Sequence, residues 1–230
     1  KEQMKQPAQP YEFRSKPAWQ RLLIMLGGVL VNFVLGFLIY AAVLYTWGED
    51  YLPIKNMQYG VLADSVAQDA GFRDGDMILT LDGKTVDRFS DIIPFILLED
   101  VAVVEVQREG KRERIVLPPQ IKKDIIQGAR LFSPRYPFVV GGYSENSIGQ
   151  KAGLQLGDRI VAVDSLATPM ADQLRPALAQ FKNREVTITV NRQGQNVPIT
   201  VQLDNSAMLG VSIDLENVLQ FETKHYSFIE

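Results

Sequence analysis

The stretch that decides the fold occurs twice, as AGFRDGDMILTLDG at Ala70–Gly83 and as AGLQLGDRIVAVDS at Ala152–Ser165. In both copies one glycine ends the Ala-Gly pair and a second follows four residues later, in Gly-Asp. Glycine tolerates the left-handed backbone that ends helices and forms tight turns. The apolar run after Gly-Asp is short and bounded by turn residues, which is typical of a buried strand. Each copy therefore predicts a short helix, a turn and a strand.

The likeness between the copies continues along the chain. At the same offset of 82 residues, Pro94 pairs with Pro176, inside apolar segments that read as helices. Residues 103–117 (VVEVQREGKRERIVL) and 187–201 (TITVNRQGQNVPITV) then predict two strands joined by a tight glycine turn. A repeat of this length is too long for one unit of a solenoid. The sequence therefore predicts two complete small domains.

Composition excludes several classes of function. The chain of 230 residues is 46% hydrophobic and 22% charged, with a net charge of −3, so no basic excess points to nucleic acid. It has no cysteine, which excludes disulfides and thiolate zinc sites. Its one histidine, His225, cannot supply the several imidazoles of a usual catalytic zinc site, and we interpret it as an exposed tail residue. The chain is not expected to carry its own active site.

One long segment is strongly apolar. There is no charge between Arg21 and Glu49, and LLIMLGGVLVNFVLGFLIYAAVLYTW fills residues 22–47. This exceeds the ~20 residues that span a bilayer as a helix. A buried core helix rarely runs so long without a polar face, and a signal peptide has a shorter apolar region. Tyr45 and Trp47 suit interfacial anchors, so we expect a transmembrane helix.

Charged residues on the two sides of this segment predict its orientation. The preceding residues 1–21 are basic, whereas Glu49 and Asp50 follow the segment directly. Basic flanks favour the cytoplasmic side of a membrane. We therefore expect the N-terminal flank in the cytoplasm and everything after Trp47 on the opposite side.

Two glycines and an amide share one face of this predicted helix. Gly28, Asn32 and Gly36 are spaced four residues apart. Small residues let helices approach closely, and an amide in hydrocarbon needs a hydrogen-bonding partner. The face is therefore either a packing seam with one interhelical hydrogen bond, or Asn32 points into a functional intramembrane site. Both interpretations predict further transmembrane helices.

The repeated pattern AG(L/F)xxGDxI(L/V)xxDG, followed each time by a helix and a hairpin, resembles the PDZ domain in the strand order typical of its bacterial members. The resemblance implies a mixed α+β protein with two PDZ-like domains, which are small, partly open β-barrels capped by helices, after one transmembrane α-helix. The expected parts are a basic cytoplasmic juxtamembrane segment (1–21), the transmembrane helix (22–47), PDZ domain 1 (50–119), PDZ domain 2 (125–205) and a linker returning towards the membrane (206–230).

A PDZ groove adds a peptide as an extra strand, and backbone N–H groups of a preceding loop hold its terminal carboxylate. In the second copy we expect that loop within GARLF, and leucines of the following helix in the side-chain pocket. The first copy lacks the usual loop pattern, so its groove is expected to bind less. Tight binding of a free C-terminus and a plain core role both stay open. The groove residues implied are Gly128, Ala129, Arg130, Leu131, Phe132, Leu174 and Leu178 in the second copy, and Ile92, Ile93 and Ile96 in the first.

The order of parts is similar to that of the site-2-type intramembrane zinc metalloproteases, the bacterial regulator of sigma-E protease family. FRSKPAWQRLLIMLGGVLVNF at residues 13–33, followed by tandem PDZ domains, carries the resemblance. It implies that Gly28 and Asn32 lie near the active site in the membrane. The family's HExxH zinc motif and its third ligand are absent from this sequence, so we interpret the chain as an internal fragment. Zinc would belong to the full-length parent, with none bound by this fragment.

The resemblance implies regulated intramembrane proteolysis at the bacterial inner (plasma) membrane, with the PDZ domains on the periplasmic side. The PDZ pair would gate access, admitting single-span membrane proteins, such as an anti-sigma factor, only after an earlier cut. The expected partners are the membrane and protein or peptide substrates, with no nucleic acid. A non-catalytic membrane-anchored PDZ adaptor, or a secretion-system component, is the alternative, which absence of an upstream HExxH would favour. A PDZ-bearing serine protease would need a catalytic domain where only residues 48–59 intervene.

Overall fold

The computed structural model describes residues 12–227, apart from the side chain of Arg14. The chain forms two compact units. One unit contains the N-terminal part of the chain as far as Asp50 together with the tail from Thr223 onward, and the other is Tyr51–Glu222.

The described chain contains seven α-helices and thirteen strands. The α-helices are α1 (Ala18–Trp47), α2 (Ser65–Asp69), α3 (Ile92–Leu98), α4 (Ile121–Ile126), α5 (Ile148–Ala152), α6 (Ala171–Ala179) and α7 (Leu215–Val218). The strands are β1 (Glu49–Tyr51), β2 (Val61–Ala63), β3 (Met77–Leu81), β4 (Val103–Arg108), β5 (Lys111–Val116), β6 (Phe132–Pro134), β7 (Phe138–Tyr143), β8 (Arg159–Val163), β9 (Leu166–Ala167), β10 (Glu185–Arg192), β11 (Gln195–Gln202), β12 (Val211–Ile213) and β13 (Glu222–Lys224). This mixture confirms the predicted α+β class.

Helix α1 dominates the first unit. It has 30 residues, and at 1.5 Å per residue it is about 45 Å long, more than the ~30 Å of a bilayer's hydrocarbon core. Its most apolar window has a mean hydropathy of 2.6 and is not buried within the protein. In the described chain α1 is the one helix long and apolar enough to cross a membrane. Gly48, with φ +76°, ends it, and its N–H donates to the Leu44 carbonyl.

The tail of the chain packs against the segment that leaves α1. The Thr223 hydroxyl donates to the Asp50 carboxylate at 2.6 Å, and the Tyr226 hydroxyl donates to Glu49 at 2.6 Å. Gly48 also lies close to the tail, because a Cβ there would meet the Lys224 carbonyl at 2.6 Å. The tail therefore returns to the end of the apolar helix.

The second unit contains two lobes, each with its own hydrophobic core. In the first lobe (residues 51–135), β2 pairs with β6, and β3, β4 and β5 form a three-stranded antiparallel sheet. The Phe132 ring packs edge-to-face on Phe72 with centroids 4.8 Å apart. Strand β6, about fifty residues after the repeated motif, therefore completes the first core.

The second lobe (residues 136–213) is built around one antiparallel sheet. Its strands lie side by side in the order β11-β10-β8-β7-β12, with β9 added alongside β8. Strand β12 comes last in the lobe but pairs with β7, the first strand of the lobe. Both lobes thus share one order: strand, short helix, strand, longer helix, hairpin, and a returning strand that pairs with the first.

The aspartate of each Gly-Asp pair has a structural role. Asp158 is 1% exposed, receives the N–H of Gln155 at 2.8 Å, and is bound by Nε and Nη2 of Arg192, both at 2.7 Å. Asp76, also 1% exposed, is bound by Arg108 in the same way, at 2.8 and 2.7 Å. A buried carboxylate is tolerated only when it is paired and hydrogen-bonded. Each arginine therefore ties the hairpin to the turn that carries the repeated motif.

Candidate peptide-binding groove

An apolar depression beside a free sheet edge lies in the second lobe, between β12 and α6. It has a volume of about 400 Å³. Leu174 and Leu178, each 4% exposed, form part of its wall, and the exposed Arg175 lies at its rim. Strand β12 is the last strand of its sheet, so its outer edge can accept another strand. The lining residues are Phe138, Tyr143, Ser144, Ala171, Leu174, Arg175, Leu178, Ala207, Met208, Leu209, Gly210, Val211 and Ser212.

The loop that leads into β12 is held in place at its start. One oxygen of Asp204 accepts hydrogen bonds from the Ser206 N–H at 2.8 Å, the Ser206 hydroxyl at 2.6 Å and the Ala207 N–H at 3.1 Å. The hydrogen bond from the Ser206 side chain lowers the pKa of Asp204 below its ordinary value. The carboxylate is therefore ionised at neutral pH and keeps the loop ordered.

The carbonyls of the same loop point into the lobe. The Leu209 carbonyl accepts the Gly149 N–H at 2.8 Å and the Ser147 hydroxyl at 3.0 Å. The Gly210 carbonyl accepts the N–H of Ser144 at 2.9 Å. Gly210 has φ +68°, and a Cβ there would lie 2.9 Å from the backbone Cα of Ser147 as well as 2.7 Å from the Ser144 hydroxyl, so the close approach favours glycine.

Two backbone donors in this loop are left over. Within residues 12–227, the N–H groups of Leu209 and Gly210 donate no hydrogen bond. A planar trans peptide points its N–H away from the preceding carbonyl. Because the Leu209 carbonyl points inward, the Gly210 N–H points outward. Two adjacent free N–H groups beside an apolar groove form a suitable site for an anionic oxygen.

The structure brings together only part of the groove predicted from sequence. Leu174 and Leu178 lie in the wall of the second-lobe groove. The five residues of GARLF do not, because β6 pairs with β2 and completes the first lobe. This placement corrects the expected loop: the strand that closes each sheet follows its own hairpin, so GARLF belongs to the preceding copy. The corrected residues are Gly128, Ala129, Arg130, Leu131 and Phe132.

The predicted groove residues of the first copy are core residues. Ile92 and Ile96 are 1% and 0% exposed, and Ile93 packs against the same core. Helix α4, inserted between β5 and β6, packs next to α3, and the Lys122 ammonium binds the Leu97 carbonyl at 3.0 Å and the Asp100 carboxylate. The equivalent face of the first lobe is therefore covered by its own chain.

The loop at residues 207–210 was not predicted from the sequence, because residues 206–230 were assigned to a linker returning towards the membrane. A signal for it exists: AMLGVSI has a glycine between apolar residues and follows a predicted hairpin. The same arrangement occurs after the first hairpin, where Leu131 takes the place of the glycine. If the closing strand of each copy is assigned to the segment after its own hairpin, the sequence predicts the loop of the second lobe at residues 207–210.

Comparison with known proteins agrees with this geometry. The sequence model of the PDZ domain matches residues 139–192, which lie in the second lobe. The chain is 25% identical to the regulator of sigma E protease of Haemophilus influenzae over 197 residues, 80% of this chain and 43% of that protein. It is 31% identical to the regulator of sigma-W protease RasP of Bacillus subtilis over 120 residues, 50% of this chain and 28% of that protein.

The chain is similar to parts of zinc metalloproteases of the site-2 type. Metalloprotease MmpA of Caulobacter vibrioides is a further relative, 31% identical over 111 residues, which are 47% of this chain and 27% of that protein. The chain thus spans from about a quarter to less than half of these site-2-type relatives. The relationship confirms the resemblance drawn from the sequence, and the PDZ match confirms a PDZ domain in the second lobe.

The residues predicted near a membrane active site lie on α1. Gly28 and Asn32 are one turn apart and exposed, and a Cβ at Gly28 would meet nothing within 4 Å. In the described part of the chain, no group of three His, Cys, Asp or Glu side chains could hold a metal ion.

Proposed function

We propose that this chain is the membrane-anchored regulatory region of a zinc metalloprotease that cleaves single-span membrane proteins. We further propose that the second-lobe groove binds the free C-terminus of a protein or peptide substrate. The observation that carries this proposal is the pair of N–H groups at Leu209 and Gly210, which have no acceptor in the described part of the chain and lie beside an apolar groove with an open strand edge. Zinc and its ligands would belong to the full-length protein.

A bound C-terminus would use three features of the groove. Its backbone would pair with the outer edge of β12, and its carboxylate would accept the two free N–H groups. Its last side chain would pack on Leu174 and Leu178, which favours an apolar residue. Arg175, the one ionised side chain among the described lining residues, would add attraction for an acidic peptide.

The first lobe shares the element order of the second, which supports assigning it as a second, divergent PDZ domain. The basic flank before α1 and the acidic residues Glu49 and Asp50 after it support a periplasmic position for both lobes in a bacterial inner membrane. The exposed face at Gly28 and Asn32 supports packing of α1 beside further helices of the full-length protein, near its active site.

Peptide binding is tested by amidation of the ligand. A labelled peptide with an apolar last residue should bind the full chain in detergent, as measured by fluorescence anisotropy. The same peptide with an amidated C-terminus should bind about 10- to 100-fold more weakly, because hydrogen bonds to a charged group contribute about 1.5–3 kcal/mol. Equal affinity of the two peptides would refute carboxylate recognition in this groove.

Gating is tested in the full-length protease. Leu178→Asp places an unpaired charge at a side chain that is 4% exposed. It should lower the free energy of unfolding of the second lobe by about 3–5 kcal/mol. Without an ordered filter, the variant should cleave a single-span substrate that has not been cut beforehand. The matched control is Leu156→Asp, at a side chain that is 62% exposed.

Two results of the gating experiment would contradict the proposal. One is an unchanged requirement for the earlier cut although the second lobe has lost its order, as followed by limited proteolysis. The other is loss of cleavage of both the intact and the pre-cut substrate, since a lobe that only filters is not needed for hydrolysis itself.

A further inference from the structure

A second depression adjoins the groove at the start of α6, and we call it the interlobe cleft. It has a volume of about 320 Å³. Ala171, in the first turn of α6, lines both depressions. Strand β12 also runs from one to the other, because Val211 and Ser212 line the groove and Ile213 lines the cleft. The rest of the cleft is lined by Asp172, Leu62 and residues 133–136.

The two lobes are bound to each other at this cleft. Arg135 Nε and Nη2 donate to the Asp172 carboxylate at 3.2 and 3.3 Å, and the two side chains are 16% and 18% exposed. The Ala171 N–H donates to the Tyr136 carbonyl at 2.9 Å, and the Arg135 N–H donates to the Gly60 carbonyl at 3.1 Å. The start of α6 is therefore fixed to the first lobe, and a site held in this way needs little rearrangement to accept a ligand.

The lining of the cleft is largely apolar and carries no net charge. Leu62 and Ile213 come from different lobes, are half-buried and belong to neither of the two hydrophobic cores in the described chain. Leu62 lies between two buried residues of β2, so its side chain faces away from the first core. Arg135 and Asp172, the ionised side chains among the described lining residues, neutralise each other. Such a lining suits an uncharged, apolar side chain, because an unpaired charge is costly to bury.

A peptide bound in the groove as proposed above would run towards this cleft. Its carboxylate would lie at Leu209 and Gly210, just before β12 begins, so its backbone would run antiparallel to β12 with its upstream residues near Ile213. Strand β12 has three residues, and each strand residue advances the chain by about 3.4 Å. The last three residues of the ligand would therefore cover β12. The fourth and fifth residues, counted back from the C-terminus, would lie at the cleft.

We infer that the interlobe cleft extends the groove and binds an apolar side chain of the ligand's fourth or fifth residue from the C-terminus. Successive side chains of a strand point to opposite faces, so one of these two neighbours faces the cleft. The inference rests on the proposed function of the second-lobe groove. It gives the first lobe a direct part in recognition, because Leu62 contacts a ligand whose carboxylate is held by the second lobe. A ligand uses both sites only if at least five residues at its end are extended.

Two peptides of six residues test the inference on the full chain in detergent. Both end in the same apolar residue with a free carboxylate. They differ only at the fourth and fifth residues from the end, which are leucine in one peptide and serine in the other. Fluorescence anisotropy should show about tenfold tighter binding of the leucine peptide, because one apolar side chain is partly buried. Equal affinity of the two peptides would overturn the inference.

Leu62→Asp should abolish this preference for leucine. The leucine peptide should bind the variant about tenfold more weakly than it binds the unsubstituted chain, and the affinity of the serine peptide should change less than about twofold. The matched control is Leu98→Asp in the same lobe, at a side chain that is 80% exposed and outside the cleft. The control should keep the preference. A preference that survives in Leu62→Asp would contradict the assignment of the cleft.

Photochemical cross-linking locates the upstream residues without any substitution in the protein. A leucine peptide with a diazirine side chain at its fourth or fifth residue from the end should cross-link to Leu62 or to residues 133–136, as identified by mass spectrometry. The same group at the last residue should cross-link near Leu174 and Leu178, which lie in the groove. Upstream cross-links confined to second-lobe residues outside the cleft would overturn the inference.

The outcomes also separate this inference from the proposed function. If both peptides bind with equal affinity and amidation weakens both, the inference fails while the groove remains a site for a free C-terminus. If the unsubstituted chain binds neither peptide, or binds the amidated forms equally well, the proposed function fails and the inference fails with it.

Discussion

Replacing Gly60 with alanine is expected to destabilise the first lobe by about 2–5 kcal/mol, from a strained backbone plus an overpacked contact. Gly60 has φ +67°, and a Cβ there would clash with the Gly75 carbonyl oxygen and lie 2.6 Å from that of Asp76. These backbone atoms cannot move away, because Val61 exchanges hydrogen bonds with both residues, at 2.7 and 2.9 Å. The repeated Gly-Asp turn and the strand before it are therefore held in contact.

Hydrogen exchange of first-lobe peptides in the full chain would measure this loss of stability. The matched control is Gly83→Ala: φ at Gly83 is +78°, but a Cβ would meet nothing within 4 Å. The control carries only the conformational penalty of about 1–2 kcal/mol. If both variants exchange alike, the close approach at Gly60 contributes nothing and the explanation is wrong.

Arg192→Leu is expected to destabilise the second lobe by about 3–5 kcal/mol, because it leaves the buried carboxylate of Asp158 without its counter-charge. Asp158 is 1% exposed and would keep only the Gln155 N–H. Combining Arg192→Leu with Asp158→Leu should recover much of the loss, since removal of both charges leaves no buried charge unpaired. Denaturant unfolding followed by hydrogen exchange in the second lobe would measure both effects.

The control for the buried Asp158–Arg192 pair is a solvent-exposed ion pair. Lys84 binds Glu99 at 2.9 Å with side chains that are 62% and 49% exposed. Such a pair contributes about 0–1 kcal/mol, so Lys84→Leu should change the stability of its own lobe little. A loss in Arg192→Leu no greater than in this control would show that the buried pair does not hold the hairpin to the turn.

Local patterns in the sequence were enough for several parts of this protein. The uncharged run of residues 22–47 predicts α1, because helix length and hydrophobicity depend on neighbouring residues alone. The alternating apolar residues around Gly110 and Gly194 predict the two hairpins for the same reason. The spacing of apolar residues predicts the apolar face of the short helix α6, and Leu174 and Leu178, which lie in the groove, belong to that face.

The sequence could not say which copy receives the strand that lies between them. GARLF is adjacent in sequence to the second copy, yet it pairs with β2 in the first. Such a pairing depends on closing a loop of some seventy residues and on burial of Phe132 against Phe72. No local propensity encodes it. The loop at residues 207–210, which precedes β12, was not predicted for the same reason.

By itself, the sequence determined an apolar helix followed by two copies of one small α+β domain, because repeats, turns and periodicity are properties of neighbouring residues. Only the tertiary structure decided that Asp158 pairs with Arg192, that Asp64 binds the first loop, and that two N–H groups of the second loop donate no hydrogen bond within residues 12–227. The two contacts join residues that are 34 and 66 positions apart in sequence. Whether a backbone donor finds an acceptor likewise depends on distant parts of the chain. Both are consequences of how the strands close each sheet.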